Sequence, residues 1–304
     1  MKHSTRALVP RGIDSSCARP VAGEHGDVLS IGITTQTLLK ILTAVFLILT
    51  LLNSIFHITR HLTRYTIPRQ QRQIIRIILV PTVFAIFSFL SVLSYQASIY
   101  LRPLAEIYES ICIPALFLLY VDYIYPDSHS WWDILDAQGK RGILTAGSCL
   151  AWFKRTCILV FQYPLSKTIS SIVEIATQGA GVYCVNTLDP HYAHLWCEII
   201  NIVAIMVAAP HVVRFERRMK KHINTKHRPG LKLWTFKGFV FLQFVQLVLF
   251  GLLNGQTFSP TSYVTYDDLY YGIPSMVTCI EAWIFTSIFI WSFSTTDFYA
   301  PPFD

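Results

Sequence analysis

Residues 36–56 read QTLLKILTAVFLILTLLNSIF, an apolar run in which Lys40 is the single charged residue. A helix of about 20 apolar residues is long enough to cross the ~30 Å hydrocarbon core of a bilayer. Because that core contains no water, the backbone has to satisfy its hydrogen bonds within its own segment, and this requirement favours a helix. The run therefore predicts a transmembrane helix near the start of the sequence.

The composition of the whole chain agrees with a membrane protein. Of the 304 residues, 53% are hydrophobic and 14% are charged, and the mean hydropathy is +0.44. Soluble domains carry about 25% charged residues, so too few polar side chains are present here to cover a globule in water. The net charge of +7 does not indicate nucleic-acid binding, because the basic residues flank apolar runs. Such positions are typical of topology signals and of contacts with lipid headgroups.

Six further apolar runs predict an all-α membrane domain of seven transmembrane helices over residues 36–293. The predicted spans cover residues 36–56, 74–95, 107–125, 157–178, 194–213, 238–257 and 272–293. The fourth span is the most polar, since it contains Lys167 and Glu174, and we expect it to face other helices or a wet cavity rather than lipid. Residues 1–35 are expected to form a polar, disordered tail outside, and residues 294–304 a short cytosolic tail.

The distribution of Lys and Arg predicts the orientation of the bundle, because cytosolic connections are enriched in both residues. The connections after the first, third and fifth spans contain four, four and nine of them, against four in the N-terminal tail and Arg102 after the second span. The N-terminus is therefore predicted outside and the C-terminus in the cytosol. The basic segment after the fifth span, expected to face lipid or a partner, contains Arg214, Arg217, Arg218, Lys220 and Lys221.

Charged side chains inside the predicted spans are the main candidates for a transport path, because charge in the bilayer is costly unless it is paired or hydrated. The candidates are Arg76, Glu109, Lys167, Glu174 and Glu281. Two interpretations stay open, a solute or ion pathway and a set of ion pairs that only fixes the order of the helices. Glu109, Lys167 and Glu281 are favoured, since Arg76 lies near a span end and its long side chain can reach water.

Two histidine patterns raise the question of a metal site. His57 and His61 share a helix face and could ligate one ion, but no acidic partner lies nearby, and contacts with lipid phosphates are the favoured interpretation. His191, His194 and Glu198 would lie on one face at the outer end of the fifth span. An interface with water is favoured over a metal there as well. We therefore expect no metal, no cofactor and no catalytic residue.

Five groups of residues, in chain order, resemble one eukaryotic family. The connection after the first span reads HITRHLTRYTIPRQQRQIIRI over residues 57–77, with the motif residues His57, His61, Tyr65, Pro68, Gln71 and Arg72. Further matches are Pro81 to Ser91, Tyr108 to Ser110, Phe161 to Lys167, and the pair of runs Lys237 to Gln246 and Cys279 to Glu281. Together they resemble the organic solute transporter subunit alpha and transmembrane protein 184 family, also called domain of unknown function 300, over roughly residues 36–293.

The resemblance implies a seven-helix bundle and, for one branch of the family, facilitative transport of steroid conjugates and bile acids with a small single-span beta subunit. It predicts a carrier of amphipathic organic, steroid- or lipid-like solutes. In this hypothesis Lys167 or Arg76 attracts an anionic group, and Glu109 and Glu281 hold the cation in place. The third-to-fourth connection has only Cys149, with Cys157 at the membrane edge, where that branch carries a cysteine cluster, and the predicted C-terminal tail is short.

Two other functions stay open at this point. The chain could be a non-transporting scaffold or receptor-like protein in trafficking or signalling, acting through the basic segment after the fifth span. It could also be a metal-dependent membrane hydrolase that uses the histidine patterns. The expected partners are membrane lipids and either a beta-type subunit or a second copy of the chain, and not nucleic acid. The expected location is the plasma membrane or a vacuolar or endosomal membrane of a eukaryotic cell.

Overall fold

A computed structural model of the chain describes residues 26–30, 32–124, 147–184, 189–221, 223, 227–253 and 260–298. Within these ranges the chain forms seven α-helices and no strand. The helices are α1 (Thr35–Leu62), α2 (Pro68–Leu93), α3 (Tyr95–Ile124), α4 (Gly147–Gly179), α5 (Ala193–Met219), α6 (Pro229–Leu253) and α7 (Ile273–Ser292). A π-helical turn, Asp268–Gly272, precedes α7, and a 3₁₀ turn, Thr295–Phe298, follows it.

Successive helices run antiparallel, so the bundle has two ends. At one end, the Arg69 guanidinium at the start of α2 pairs with Asp122 at the end of α3, at 2.7 Å. At the other, the Tyr95 hydroxyl at the start of α3 donates to Asp268 before α7, at 2.6 Å. We call the first end the basic end, because many exposed Arg and Lys residues of the described helix ends lie there. It contains the helix termini Leu62, Pro68, Ile124, Gly147, Met219, Pro229 and Ser292.

Six of the seven helices are long and apolar enough to cross a membrane, namely α1, α2, α3, α5, α6 and the π-helical turn with α7. The described part of the chain is therefore an integral membrane helical bundle, as the sequence predicts. α4 is not among the six, although it has 33 residues. Its apolar residues are interrupted by Lys154, Arg155, Lys167 and Glu174, the same polarity that marks the fourth predicted span in the sequence.

Six of the seven described helices extend beyond their predicted spans at one end or both, and the difference is largest at the start of α3. The sequence predicts a start at residue 107, whereas the helix begins at Tyr95. The prediction failed because Arg102 and Glu106 were assigned to a polar connection. In the structure both residues lie in α3, where they form an ion pair of 2.9 Å at i,i+4 spacing.

A buried aromatic core joins α3, α4 and α5 near the basic end. Phe117, Phe153 and Phe215, one from each helix, are fully buried, and the rings of Phe117 and Phe215 have centroids 4.8 Å apart in an edge-on arrangement. Edge-on contacts between aromatic rings are favourable beyond the area they bury. α4 packs on α3 and α5, while α7 packs on α1, α2 and α6. The aromatic core thus holds three helices together at one end, whereas polar side chains lie between their other halves.

Candidate functional site

An ion-pair network lies between α3 and α4, in the half of the bundle away from the basic end. The carboxylate of Glu106 accepts from Lys167 Nζ at 2.5 Å and from Arg102 Nε at 2.9 Å. The Lys167 side chain is 6% exposed, whereas that of Arg102 is 52% exposed. Charge-assisted hydrogen bonds of this kind are among the strongest in proteins. Lys167 is thus paired with a residue that the sequence analysis missed, since it placed Glu106 outside the helix.

Two of the predicted carboxylates lie beside this network. Glu109, one turn after Glu106, is 8% exposed and interacts electrostatically with Glu106, Lys167 and Arg102. It makes no hydrogen bond or ion pair with any described residue. Glu174, seven residues after Lys167, also interacts electrostatically with Glu106, Lys167 and Arg102.

Tyr183 connects the network to the segment that follows α4. Its side chain hydrogen-bonds the carboxylate of Glu174. Burial first, and then the charge of Glu174, raise the pKa of Tyr183 above its ordinary range, so the phenol stays protonated and can donate. Glu198, in the first turns of α5, acts electrostatically on Lys167 and Tyr183. We call these groups the charged cluster; its members are Arg102, Glu106, Glu109, Lys167, Glu174 and Glu198.

Glu281 is not part of the charged cluster. It lies in α7, where its carboxylate accepts from Gln243 Nε2 of α6 at 2.7 Å, and the Thr278 hydroxyl donates to Gln243 Oε1 at 3.2 Å. α7 packs against α1, α2 and α6. Glu281 forms no ion pair with a described residue. The structure therefore separates the three favoured residues into two places, with Glu109 and Lys167 in one and Glu281 in the other.

The structure also places Arg76 apart from the charged cluster. Its side chain is exposed and donates from Nη1 to Gln73 Oε1 of the preceding turn, at 3.0 Å. Its backbone carbonyl accepts from the Tyr108 hydroxyl at 2.9 Å and from the Cys112 thiol at 3.4 Å. The position of Arg76 thus serves the contact between α2 and α3, and its guanidinium points out of the bundle, as expected for a side chain that reaches toward water.

The two histidines of the family motif hold the end of α7. Both are buried in the basic end, and their Nε2 atoms lie 3.0 Å (His57) and 2.9 Å (His61) from one carbonyl oxygen, that of Phe293. Since a carbonyl only accepts, each ring donates an N–H to it. The last carbonyls of a helix have no partner within the helix. Tertiary packing encloses both rings, so neither ring faces lipid phosphates in this structure.

Gln71, also fully buried, stabilises the turn between α1 and α2 through hydrogen bonds. Its Oε1 accepts from the Ile67 N–H at 3.0 Å, and its Nε2 donates to the carbonyls of His61 at 3.1 Å and Arg64 at 2.6 Å. One side-chain amide therefore satisfies three backbone groups at the junction. This role uses both the donor and the acceptor of the amide, which explains why the motif has Gln at this position.

The remaining motif residues complete the same junction. The Tyr65 hydroxyl donates to the Pro68 carbonyl at 3.3 Å. Pro68 begins α2, a position where the missing N–H of proline costs nothing. Arg72 is exposed, whereas its neighbour Arg69 pairs with Asp122. This motif thus forms a structural junction at the opposite end from the charged cluster.

The structure does not assemble the second histidine pattern into a metal site. Among the residues that it describes, no group of three His, Cys, Asp or Glu side chains could hold a metal ion. His191 Nδ1 lies 2.7 Å from the Asp189 carboxylate, and the ring of His194 packs edge-on against Tyr183. The backbone N–H of His191, followed by its ring, lowers the pKa of the exposed Asp189. His191, His194 and Glu198 therefore have separate surroundings.

The predicted basic residues lie at the C-terminal end of α5. The exposed side chains there are those of Arg214, Arg217, Arg218, Lys220 and Lys221. Lys154 and Arg155 of α4 are exposed close to the same end of the bundle. The Arg218 guanidinium lies 4.2 Å above the ring of Trp152, a favourable cation–π distance. We call these residues the basic patch.

Comparisons with known proteins agree with the resemblance seen in the sequence. The family model described as organic solute transporter Ostalpha matches residues 39–298. The chain is 25% identical over 240 residues to a transmembrane protein 184 homologue from Dictyostelium discoideum, an alignment that covers 76% of this chain and 47% of that protein. The chain thus spans about half the length of the curated relative it matches. No solved structure matches the chain.

Proposed function

Because the chain belongs to the organic solute transporter Ostalpha family, we propose that it is a facilitative carrier of amphipathic organic solutes with steroid- or lipid-like bodies. The family is one of transporters rather than enzymes. The observation that carries the proposal is the charged cluster, in which Lys167 and Glu109 are buried among membrane helices. Charge in the bilayer is retained where it lines a path for solutes or ions.

The proposal treats α4 as the fourth of seven transmembrane helices. Its 33 residues reach about 50 Å at 1.5 Å per residue, more than the hydrocarbon thickness. Its buried Lys167 faces α3, and an exposed apolar stripe on α4 suits contact with lipid. The stripe contains Ile158, Leu165, Ile169 and Ile172. Mean hydropathy alone underestimates the ability of α4 to cross the membrane, because one face of the helix contributes to the charged cluster and another face is suited to contact lipid.

We also propose that the basic end faces the cytosol and the N-terminus lies outside. Connections rich in Lys and Arg are typical of the cytosolic side. Cys184, which follows α4 at the opposite end, is disulfide-bonded. Disulfides persist in oxidising compartments and are rare in the cytosol. Charge and cysteine chemistry therefore favour the same orientation.

The orientation can be tested by introducing glycosylation acceptors, since the sequence contains no Asn-x-Ser/Thr sequon. Asp14→Asn creates one with Ser16 in the N-terminal tail, and Lys226→Ser creates one with Asn224 in the connection before α6. We expect a glycan removable by endoglycosidase on the first variant and none on the second. The reverse pattern would show that the basic end is lumenal or extracellular.

Transport through the charged cluster is proposed to depend on pairing between a polar group of the solute and the cluster. Glu106 neutralises Lys167, which makes the buried lysine tolerable. A solute whose polar group pairs with a member of the cluster would be held there while its apolar body lies against the helices. Such binding needs no energy source other than the solute gradient.

The carrier function predicts saturable, ATP-independent uptake into proteoliposomes that contain the purified protein. The solutes would be a steroid sulfate, a bile acid, a neutral sterol and a steroid amine. Lys167→Ala is expected to lower the uptake of a transported solute about tenfold or more, because it removes the charged hydrogen bond that holds Glu106 in the cluster. Arg76→Gln is the matched control, because its guanidinium lies outside the charged cluster, and it should leave uptake unchanged. Uptake that is equal in Lys167→Ala and the wild type would contradict the proposed path.

A second candidate function is a non-transporting scaffold or receptor-like role in trafficking or signalling, favoured by the exposed cations of the basic patch. Such a patch attracts anionic lipid headgroups, at about 1 kcal/mol for each Lys or Arg near the surface. In cells that lack the protein, rescue by Arg217→Gln/Lys220→Gln/Lys221→Gln can be compared with rescue by Lys167→Ala. Failure of the first variant alone would favour the scaffold, and failure of the second alone would favour the carrier.

A further inference from the structure

Acidic side chains outnumber cationic side chains in the charged cluster. Two of its members are cations and four are carboxylates. Glu106 already accepts from both cations, Arg102 and Lys167. Glu106 therefore engages both cations, and the other three carboxylates share a region that contains no further cation of the cluster.

Glu109 is the member of the cluster whose surroundings are incomplete. It is 8% exposed and lies on the same face of α3 as Glu106, one turn further along. Glu106, followed by Lys167 and Arg102, acts on it electrostatically, so it faces into the cluster, yet it has no hydrogen bond or ion pair with a described residue. Burying a carboxylate without such partners is costly. Glu174 differs, since it has the Tyr183 hydroxyl as a donor.

This arrangement disfavours a negatively charged solute. The Lys167 ammonium, the deeper of the two cations, lies 2.5 Å from Glu106. An anion would have to displace that carboxylate, and the neighbouring Glu109 offers it no positive charge. A positively charged group meets the opposite situation, because it can pair with Glu109 while the Lys167–Glu106 contact stays intact.

We propose that the charged cluster binds a protonated amine carried by an amphipathic solute, with the Glu109 carboxylate as its direct acceptor. The inference rests on the proposed carrier function and specifies its solute class. An ammonium group donates up to three hydrogen bonds, and Glu109 offers two oxygens that lack donors in the described structure. Binding would give Glu109 the cationic partner that no described residue supplies in an ion pair.

The test is a binding measurement with three radiolabelled solutes that share one steroid body and differ in one group, an amine, a hydroxyl or a sulfate. The full chain is reconstituted in lipid nanodiscs. We expect the amine to bind about tenfold or more tightly than the hydroxyl compound, the usual effect of a hydrogen bond to a charged group. Glu109→Gln should remove this difference.

Glu281→Gln is the matched control, since it neutralises a carboxylate of the same bundle outside the charged cluster, and it should preserve the preference for the amine. A preference that persists in Glu109→Gln, or tightest binding of the sulfate, would overturn the inference. Binding of the sulfate or the hydroxyl compound without the amine would do so too, while leaving the carrier function intact. Binding of none of the three solutes would overturn both proposals.

Discussion

Glu106→Gln is expected to lower the free energy of unfolding by about 3–5 kcal/mol, because removing one partner of a buried ion pair leaves the other charge uncompensated. The charge left behind is that of Lys167, whose side chain is 6% exposed and whose Nζ lies 2.5 Å from Glu106. Gln keeps the size of Glu, so the change reports the loss of the charge rather than of volume. The measurement is thermal unfolding of the purified protein in detergent micelles.

The asymmetry of the network provides the control. Lys167→Met should be milder than Glu106→Gln, because Glu106 then still pairs with Arg102. Arg102→Gln should change stability by less than about 1 kcal/mol, since an exposed ion pair contributes little. The double variant Glu106→Gln/Lys167→Met should recover much of the loss, which gives a coupling energy in a double-mutant cycle. Additive effects of the two substitutions would contradict a direct Lys167–Glu106 interaction.

The class of fold was predictable because the bilayer leaves few choices to an apolar run such as residues 36–56. Hydropathy failed where a helix carries charge inside the bundle. The start of α3 was placed 12 residues late, at 107 instead of Tyr95, since Arg102 and Glu106 resemble a polar connection. Their i,i+4 spacing was the signal that could have identified a helix, because opposite charges at this spacing stabilise one.

Which charges meet could not be derived from spacing along one helix. Lys167 and Glu106 are 61 residues apart and belong to different helices, so their contact depends on how α3 and α4 are rotated about their axes. Glu281 has the same kind of intramembrane carboxylate as Glu109, yet it meets Gln243 because α7 packs on α6. These pairs depend on which helices pack against each other, and that packing could not be derived from this sequence alone.

The histidine motif illustrates the same limit at shorter range. Helical spacing correctly places His57 and His61 on one face, with ring centroids 5.1 Å apart. What that face contacts is decided by Phe293, more than 230 residues later. A pattern that could ligate a metal or bind phosphate instead donates two hydrogen bonds to the end of another helix, and only the tertiary structure distinguishes these roles.

Gln71→Glu is expected to lower the free energy of unfolding by about 3 kcal/mol or more, although it changes a single amide to a carboxylate of the same shape. The Ile67 N–H at 3.0 Å would keep an acceptor. The carbonyls of His61 and Arg64, at 3.1 and 2.6 Å, would lose the amide donor and face a negatively charged oxygen instead, although Arg64 would keep another donor, the Thr66 N–H at 3.0 Å. Each unsatisfied buried polar group costs about 1–3 kcal/mol, and the burial of an unpaired charge adds to this loss.

Gln73→Glu is the matched control two residues away, because Gln73 Oε1 accepts from Arg76 Nη1 at 3.0 Å, and a carboxylate there would accept as well or better. Thermal unfolding in detergent should therefore separate two identical chemical changes in one helix, with a large loss at Gln71 and none at Gln73. Equal stability of the two variants would mean that the buried amide does not hold the α1–α2 turn. A loss confined to Gln71 would assign the motif a structural role, since the affected contacts are all with backbone groups of that turn.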